Sequence, residues 1–342
     1  MNKMNFNDMS LPVIFGTMPN GEIITHDLAR MPHLLVGGVS GSGKSAFLHS
    51  LVCSLVQSYS PEQVRFILMD PKCVEFGCYE RLPHLCSPIV KEREQCVKML
   101  ECIETEINHR IDCFSLKGCR NFSNFKQSNK DAKMPYLIVV IDEFSDLTVG
   151  PDGAFESTVS RIAEMGRSAG VHIVMSTSRF EAIDTFPNLK ANVLSRLAFR
   201  VCQRIDSIAF LDECGAEELV GRGEAFLKDC KGAIVRLKVP SIRDESISRI
   251  VDSAIVRYPE RHFLREFAEH IDPKEDYELM FERALDVIRS TRRASISWLQ
   301  RQLNIGYNDA AHVMSLLEER GIIGPSNDNG SREIMCSEVE RK

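Results

Sequence analysis

One octapeptide constrains this chain more than any other. Gly38 to Ser45 reads GVSGSGKS, which fits the pattern G-x-x-x-x-G-K-[ST]. It follows a short apolar run, PHLLVG at 32–37. It precedes a segment whose apolar residues recur at helical spacing: Phe47, Leu48, Leu51, Val52, Leu55 and Val56. Strand, glycine-rich corner and helix in that order make a phosphate cradle. The glycines let successive N–H groups turn toward phosphate oxygens, and the positive helix end adds to the attraction. The expected ATP-binding set is Gly38, Val39, Ser40, Gly41, Ser42, Gly43, Lys44 and Ser45. Lys44 would reach the β- and γ-phosphates, and the Ser45 hydroxyl would ligate Mg²⁺.

Strands and helices then alternate over the first 250 or so residues. VRFILM at 64–69, YLIVVI at 136–141 and VHIVMS at 171–176 read as buried strands. Segments 92–114 and 158–168 read as amphipathic helices. Such alternation predicts an α/β fold with a largely parallel sheet covered on both faces. The strand at 136–141 ends in Asp142-Glu143. At the end of a buried strand beside a phosphate loop, Asp142 would hold Mg²⁺. Glu143 would orient or deprotonate the attacking water. Alone, the same two acids would read as a solvated loop opening. Five arginines follow that could neutralise a transferring phosphoryl group: Arg161, Arg167, Arg179, Arg196 and Arg200.

Two stretches interrupt the pattern. Residues 118–133 are polar and read as a surface loop; 258–274 are charged, carry two prolines and read as a linker. The expected organisation is a phosphate-binding α/β domain at 1–257, a linker at 258–274 and a small domain at 275–342. That last part predicts helices at 277–290, 295–303 and 308–320. A hairpin follows around SNDNG at 326–330, making a winged helix-turn-helix.

Composition closes off other classes. The chain has 342 residues, 44% apolar and 26% charged, with a net charge of −6. These values fit a globular chain and not a disordered or collagen-like one. No apolar run reaches the roughly 18 residues of a membrane span, and the N-terminus lacks the order of a signal peptide. A cytoplasmic location without membrane insertion is therefore expected. Seven of the twelve cysteines lie between Cys73 and Cys119, none in a C-x-x-C pair. They read as reduced thiols, not zinc ligands.

The longer blocks identify a resemblance. PHLLVGGVSGSGKS, VRFILMDPK with YERLPHL, VVIDEFSDL, GRSAGVHIVMSTSR, LKANVLSRLAFRV and IDSIAFLDECGAEELVGRGEAFL resemble the motor of FtsK/SpoIIIE DNA translocases. ASISWLQRQLNIGYNDAA with LLEERGIIGP resembles that family's winged-helix gamma module. The resemblance implies a RecA-like P-loop ATPase that assembles as a ring, usually a hexamer, around double-stranded DNA. Such motors pump DNA with ATP and Mg²⁺ in chromosome partition, cell division or the transfer of mobile elements. It implies Lys44, Glu143 and Arg167 as catalytic residues, with Arg167 reaching a neighbouring subunit's nucleotide. Asn308 would lie near DNA bases, and a tyrosine recombinase is an implied partner of the gamma module. Three departures stand out. Ser178 replaces the family's sensor glutamine, Ile208 replaces an arginine, and Asp309 replaces an arginine in the gamma helix.

Charge supplies a separate pointer to DNA. No acid occurs from Arg289 to Leu303, a window holding Arg289, Arg292, Arg293 and Arg301. Such a strip would track phosphates, although a solvated helix face gives the same pattern. The expected DNA-contacting residues are Arg292, Arg293, Arg301, Asn308, His312 and, in the wing, Arg332. The expected function is a ring-forming, ATP-driven double-stranded DNA translocase. The alternatives are an ATP-binding regulator or clamp that hydrolyses weakly, and a ring ATPase that moves protein.

Overall fold

The computed structural model describes residues 9–31, 33–129, 132–148, 153–180, 187–259, 263, 264, 267, 273–303, 307–326 and 332–335. The chain divides into two compact units, residues 1–271 and 272–342.

The first unit is built on a nine-stranded sheet. Its strands are β1 (Pro12–Thr17), β2 (Ile23–Asp27), β3 (His33–Gly37), β4 (Val64–Met69), β5 (Tyr136–Ile141), β6 (Val171–Thr177), β7 (Ser195–Phe199), β8 (Glu224–Lys228) and β9 (Ile234–Lys238). The order across the sheet is β2-β1-β9-β8-β7-β3-β6-β5-β4. From β7 to β4 all neighbours are parallel. From β7 to β2 they are antiparallel. The parallel strands are apolar on both faces because helices cover both. Every residue of β3, β6 and β7 is buried. In β8 burial alternates, with Ala225 and Leu227 inward and the other three half-buried. That alternation is a weaker sequence signal, and β1, β2 and β7 to β9 were not among the expected strands.

Among the described residues, the helices that accompany this sheet are α1 (Lys44–Ser58), α2 (Arg93–Leu116), α3 (Phe122–Ser128), α4 (Ala154–Ala169), α5 (Pro187–Asn192), α6 (Arg204–Leu211) and α7 (Asp244–Arg257). One core joins α1 and α7 to the sheet through Phe47, Leu51, Val52, Leu55, Ile247 and Val251. A second joins α2 and α4 through Met99, Ile103, Val159 and Ile162. Residues 118–133 are not simply a loop. They contain α3, capped by the Asn121 side chain, which accepts the Asn124 N–H at 2.9 Å. Phe122 and Phe125 bury their rings against Phe114. Within 258–274, Leu264 and Phe267 pack into the second core rather than standing free.

The second unit holds α8 (Pro273–Thr291), α9 (Ile296–Leu303), α10 (Tyr307–Glu319), β10 (Ile323–Ser326) and β11 (Arg332–Ile334). The three helices close on Phe281, Leu285, Ile288, Leu299, Val313, Met314 and Leu317. The strands pair antiparallel, Ile323 opposite Ile334 and Ser326 opposite Arg332, which is the winged-helix arrangement. Most of the expected turn, 327–330, lies outside the described residues. Among the described residues no helix is long and apolar enough to cross a membrane.

Candidate nucleotide site and nucleic-acid interface

The parallel register decides where chemistry can gather. β3, β5, β6 and β7 run in one direction, so Gly38, Asp142, Ser178 and Arg200 all emerge at the same edge of the sheet. Ligands in open α/β sheets bind at that carboxyl edge.

The phosphate loop is held there by its neighbours. The Val39 N–H donates to Arg200 O at 2.9 Å, and the Gly223 N–H donates to Ser42 O at 3.0 Å. Gly43 has φ 127°, and a Cβ added there would lie 2.9 Å from the Phe199 ring and 3.0 Å from Gly223 Cα. Glycine is therefore required both by conformation and by space. Ser40 and Gly41 form the exposed tip and Ser42 is buried. Lys44, 8% exposed, donates from Nζ to Gly38 O at 2.7 Å and Val39 O at 3.2 Å. Burial lowers its pKa, while Glu143 and Asp142 pull it back toward the charged form.

The expected acids converge on this loop. The Ser176 hydroxyl donates to Asp142 Oδ1 at 2.6 Å. Burial raises the Asp142 pKa, opposed by Ser176 and reinforced by the charges of Glu75, Asp70 and Glu143. Glu143 is left-handed, φ 49°, which turns its N–H onto Ser176 Oγ at 2.9 Å. Strain of this kind gathers at functional sites. Its carboxylate accepts from the hydroxyls of Ser145, Thr177 and Ser178 and from the Ser178 N–H.

Glu143, Asp142 and Glu75 thus face Lys44, Asp70 adds its charge beside Asp142, and Lys72 stands between Glu143 and Asp146. The surplus negative charge and the hard oxygen donors suit Mg²⁺, which takes few protein ligands and relies on substrate phosphates for the rest. Among the described residues, no three His, Cys, Asp or Glu side chains are grouped as a metal cage. Ser45 Oγ and the Asp142 carboxylate are the groups that would hold such an ion. Lys72, Glu75, Ser145 and Ser176 were missed in the sequence. They belong to no spacing pattern, and only the fold brings them to the loop.

The arginines sort themselves. Arg161 pairs with Glu104 at 2.6 Å, Arg179 with Asp146 at 3.3 Å and buried Arg196 with Asp212 at 2.7 Å. Arg167 and Arg200 are exposed and make no ion pair among the described residues. Arg167 sits in the last turn of α4, just before β6 begins. That is the opposite edge of the sheet from the phosphate loop. Seven residues of β6 separate the two edges, roughly 20 Å at strand rise.

In the second unit Arg292 and Arg301 are exposed, and Arg292 is left-handed at φ 53°. Arg293 lies 5.0 Å over the Trp298 ring, and Arg289 pairs with Asp286 at 3.6 Å. His312 is exposed on α10. Arg332 is ion-paired with Glu318. The Asn308 side chain lies outside the described residues.

Comparison with known proteins places this geometry. Residues 1–182, more than half of the chain, match the model of the FtsK/SpoIIIE family, and 275–337 match that of the Ftsk gamma domain. A DNA translocase FtsK of Leptospira interrogans is 37% identical over 338 residues, covering 95% of this chain and 35% of that protein. The DNA translocase SpoIIIE of Bacillus subtilis is 32% identical over 348 residues, covering 96% of this chain and 44% of that protein. The chain thus spans between about a third and a half of these relatives. The cytoplasmic domain of the Thermomonospora curvata type VII secretion ATPase EccC superposes with a TM-score of 0.66, at 25% identity. That match covers 77% of this chain and 33% of the other. The pCW3 conjugation coupling protein TcpA, with ATPgS, shares the fold at a TM-score of 0.63 and 22% identity over 73% of each chain. The glycine-rich loop, the acids facing it and the two matched regions agree: the chain belongs to the FtsK/SpoIIIE family.

Proposed function

We propose that the chain is an ATP-dependent double-stranded DNA translocase that works as a ring. The observation that carries this is the division of groups between the two sheet edges. Lys44, Ser45, Asp142 and Glu143 stand at one edge, and Arg167, exposed and without an ion pair among the described residues, stands at the other. An arginine that far from its own phosphate loop does not reach its own nucleotide; in this reading it serves a neighbour's. Sites completed between subunits favour a closed ring, a hexamer by family resemblance.

In this reading the loop N–H groups and Lys44 bind the phosphates. Ser45 and Asp142 would hold Mg²⁺, which would supply positive charge against the phosphate oxygens. Glu143 orients the attacking water and takes its proton, and Arg167 completes the adjoining site. The second unit contacts duplex through Arg292, Arg293, Arg301, Asn308 and His312, with Arg332 in the wing. A tyrosine recombinase is a further partner of that unit. The cytoplasm, where chromosomal and mobile-element DNA is handled, is the place for such work.

The test is ATP turnover by the full chain with and without long duplex DNA, followed by displacement of a roadblock bound to that duplex. DNA-stimulated turnover is expected, abolished in Lys44→Ala. In Glu143→Gln it falls by about 10²–10⁴ while nucleotide binding persists. No turnover at saturating DNA overturns the motor and leaves the second reading, a nucleotide-gated clamp. The saturated hydrogen bonding of Glu143 favours that second reading.

A further inference from the structure

Beside the phosphate loop, a chain of side-chain contacts outside the sequence motifs ends on Ser45. Ser45 Oγ donates to Glu75 Oε1 at 2.7 Å. The other carboxylate oxygen, Glu75 Oε2, lies 3.4 Å from His49 Nε2. On the far side of that ring, His49 Nδ1 is 2.9 Å from the Tyr79 hydroxyl, which in turn is 3.4 Å from Cys53 Sγ. Glu75 is also anchored through its backbone. Asp70 Oδ2, at the end of β4, accepts both the Glu75 N–H and the Phe76 N–H at 2.9 Å. Asp70 is 1% exposed, whereas the Glu75 side chain is 26% exposed. The anchor is therefore buried and rigid, and the carboxylate it presents is partly open.

We infer that Glu75 is the positioning residue for the metal half of this site, directing the Ser45 hydroxyl so that its lone pairs face the cation; this rests on reading Ser45 as a metal ligand. A serine hydroxyl carries one proton and two lone pairs. It coordinates a hard cation through oxygen only when its proton points elsewhere. Glu75 takes that proton in hydrogen bonding, fixes the Ser45 rotamer and adds a negative charge one hydroxyl away from the cation. Outer groups of this kind orient a ligand and raise its basicity. His49 and Asp70 hold Glu75 in the orientation that does so.

The experiment is nucleotide binding by the full chain, using a fluorescent ATP analogue, first in EDTA and then against added Mg²⁺. Glu75→Ala is expected to bind the analogue in EDTA within about twofold of wild type. Its Mg²⁺ midpoint is expected to rise about tenfold or more, the effect of losing an outer-shell partner. Glu75→Gln keeps an oxygen that accepts from Ser45 but loses the charge, and its midpoint is expected to rise by a smaller factor, about threefold. Thermal melting of each variant verifies folding; if Glu75→Ala does not fold, the isosteric Glu75→Gln gives the answer. A wild-type Mg²⁺ midpoint in the folded variants overturns the assignment. So does an equal loss with and without Mg²⁺, which is what simple loop anchoring would give. A wild-type chain that binds no nucleotide under either condition overturns the reading of the whole site, and Glu75's role with it.

Discussion

Ser178 grips Glu143 at both carboxylate oxygens: its N–H donates to Oε1 at 2.8 Å and its hydroxyl to Oε2 at 2.7 Å. Lys72 Nζ stands 3.6 Å from Oε2, and the Ser145 hydroxyl donates to Oε1 at 2.7 Å. Burial alone would raise this carboxyl's pKa. The donors from Ser178 and Ser145, with the Lys72 charge, outweigh burial and bring it down to about 2. A base that weak takes a proton from water poorly. Ser178 thus engages, through both its N–H and its hydroxyl, the carboxylate proposed here as the base.

Ser178→Ala removes the Oε2 contact and keeps the N–H contact. A hydrogen bond to a charged group contributes about 1.5–3 kcal/mol, and part of that loss appears as greater basicity of Glu143. DNA-independent ATP turnover is expected to rise about threefold to tenfold, narrowing the ratio of stimulated to basal rate. Steady-state hydrolysis with and without duplex measures this. A fall in both rates instead would show that Ser178 orients Glu143 for reaction.

The phosphate loop offers an internal control in its own glycines. Gly41 has φ 74° with open space around a would-be Cβ. Gly41→Ala should cost only the left-handed strain, about 1 kcal/mol. Gly43, hemmed in by Phe199 and Gly223, has no room to relax. Gly43→Ala should lower the melting temperature further and weaken nucleotide binding by at least about tenfold, equivalent to about 1.4 kcal/mol. Thermal melts and nucleotide titrations of the two variants side by side give the comparison. Equal effects would mean that the Phe199 contact does not shape the loop.

Glu143 and Lys44 were legible in the sequence because each belongs to a fixed spacing around one strand end. Ser178, though named as a departure, gave no hint of its partner. Glu143 lies 35 residues away and meets it only because β5 and β6 are parallel neighbours. Glu75 was silent for the same reason, reaching Ser45 from a loop 30 residues on. Strands β3 to β6 announced themselves as apolar runs, whereas central β7, which carries Ser195 and Arg196, and the antiparallel edge, with its half-buried β8, did not. Helix α3 was hidden by its polar surroundings. Its seven residues are too few to show a period, and its two buried phenylalanines, Phe122 and Phe125, carry the whole signal.

Acid should weaken the first unit through His33. This side chain, 1% exposed in β3, accepts the Ile173 N–H on Nδ1 at 3.1 Å. Burial, with the neighbouring His172, lowers its pKa to about 3. The unfolded chain takes up this proton near pH 6.5, and the folded chain refuses it until about pH 3. The contribution is therefore whole above about pH 6.5 and shrinks as pH falls toward 3, by up to about 1.4 kcal/mol per pH unit. His84, lowered to about 4 by burial, acts in the same direction. Urea unfolding at pH 7, 6 and 5 should show falling midpoints, with a shallower fall in His33→Gln. Parallel slopes for the two proteins would mean that His33 is protonated in the folded state.

The arginines of the second unit make different predictions because their surroundings differ. Arg292 and Arg301 are exposed and make no ion pair among the described residues, so each is available to a phosphate. Loss of one phosphate contact lowers the slope of log affinity against log salt by about 0.9. Arg292→Ala and Arg301→Ala in the full chain should each show that change, with affinity reduced alike for all duplex sequences. Arg332 is engaged by Glu318, and a charge already neutralised by protein releases few counterions from DNA. Arg332→Ala should therefore change the slope by well under half that amount. Fluorescence anisotropy of a labelled duplex at several salt concentrations distinguishes the three. A full change in Arg332→Ala would mean that DNA opens the Glu318 pair. No change in any of them would remove this strip from the DNA path and leave α10, with His312, as the contact to examine.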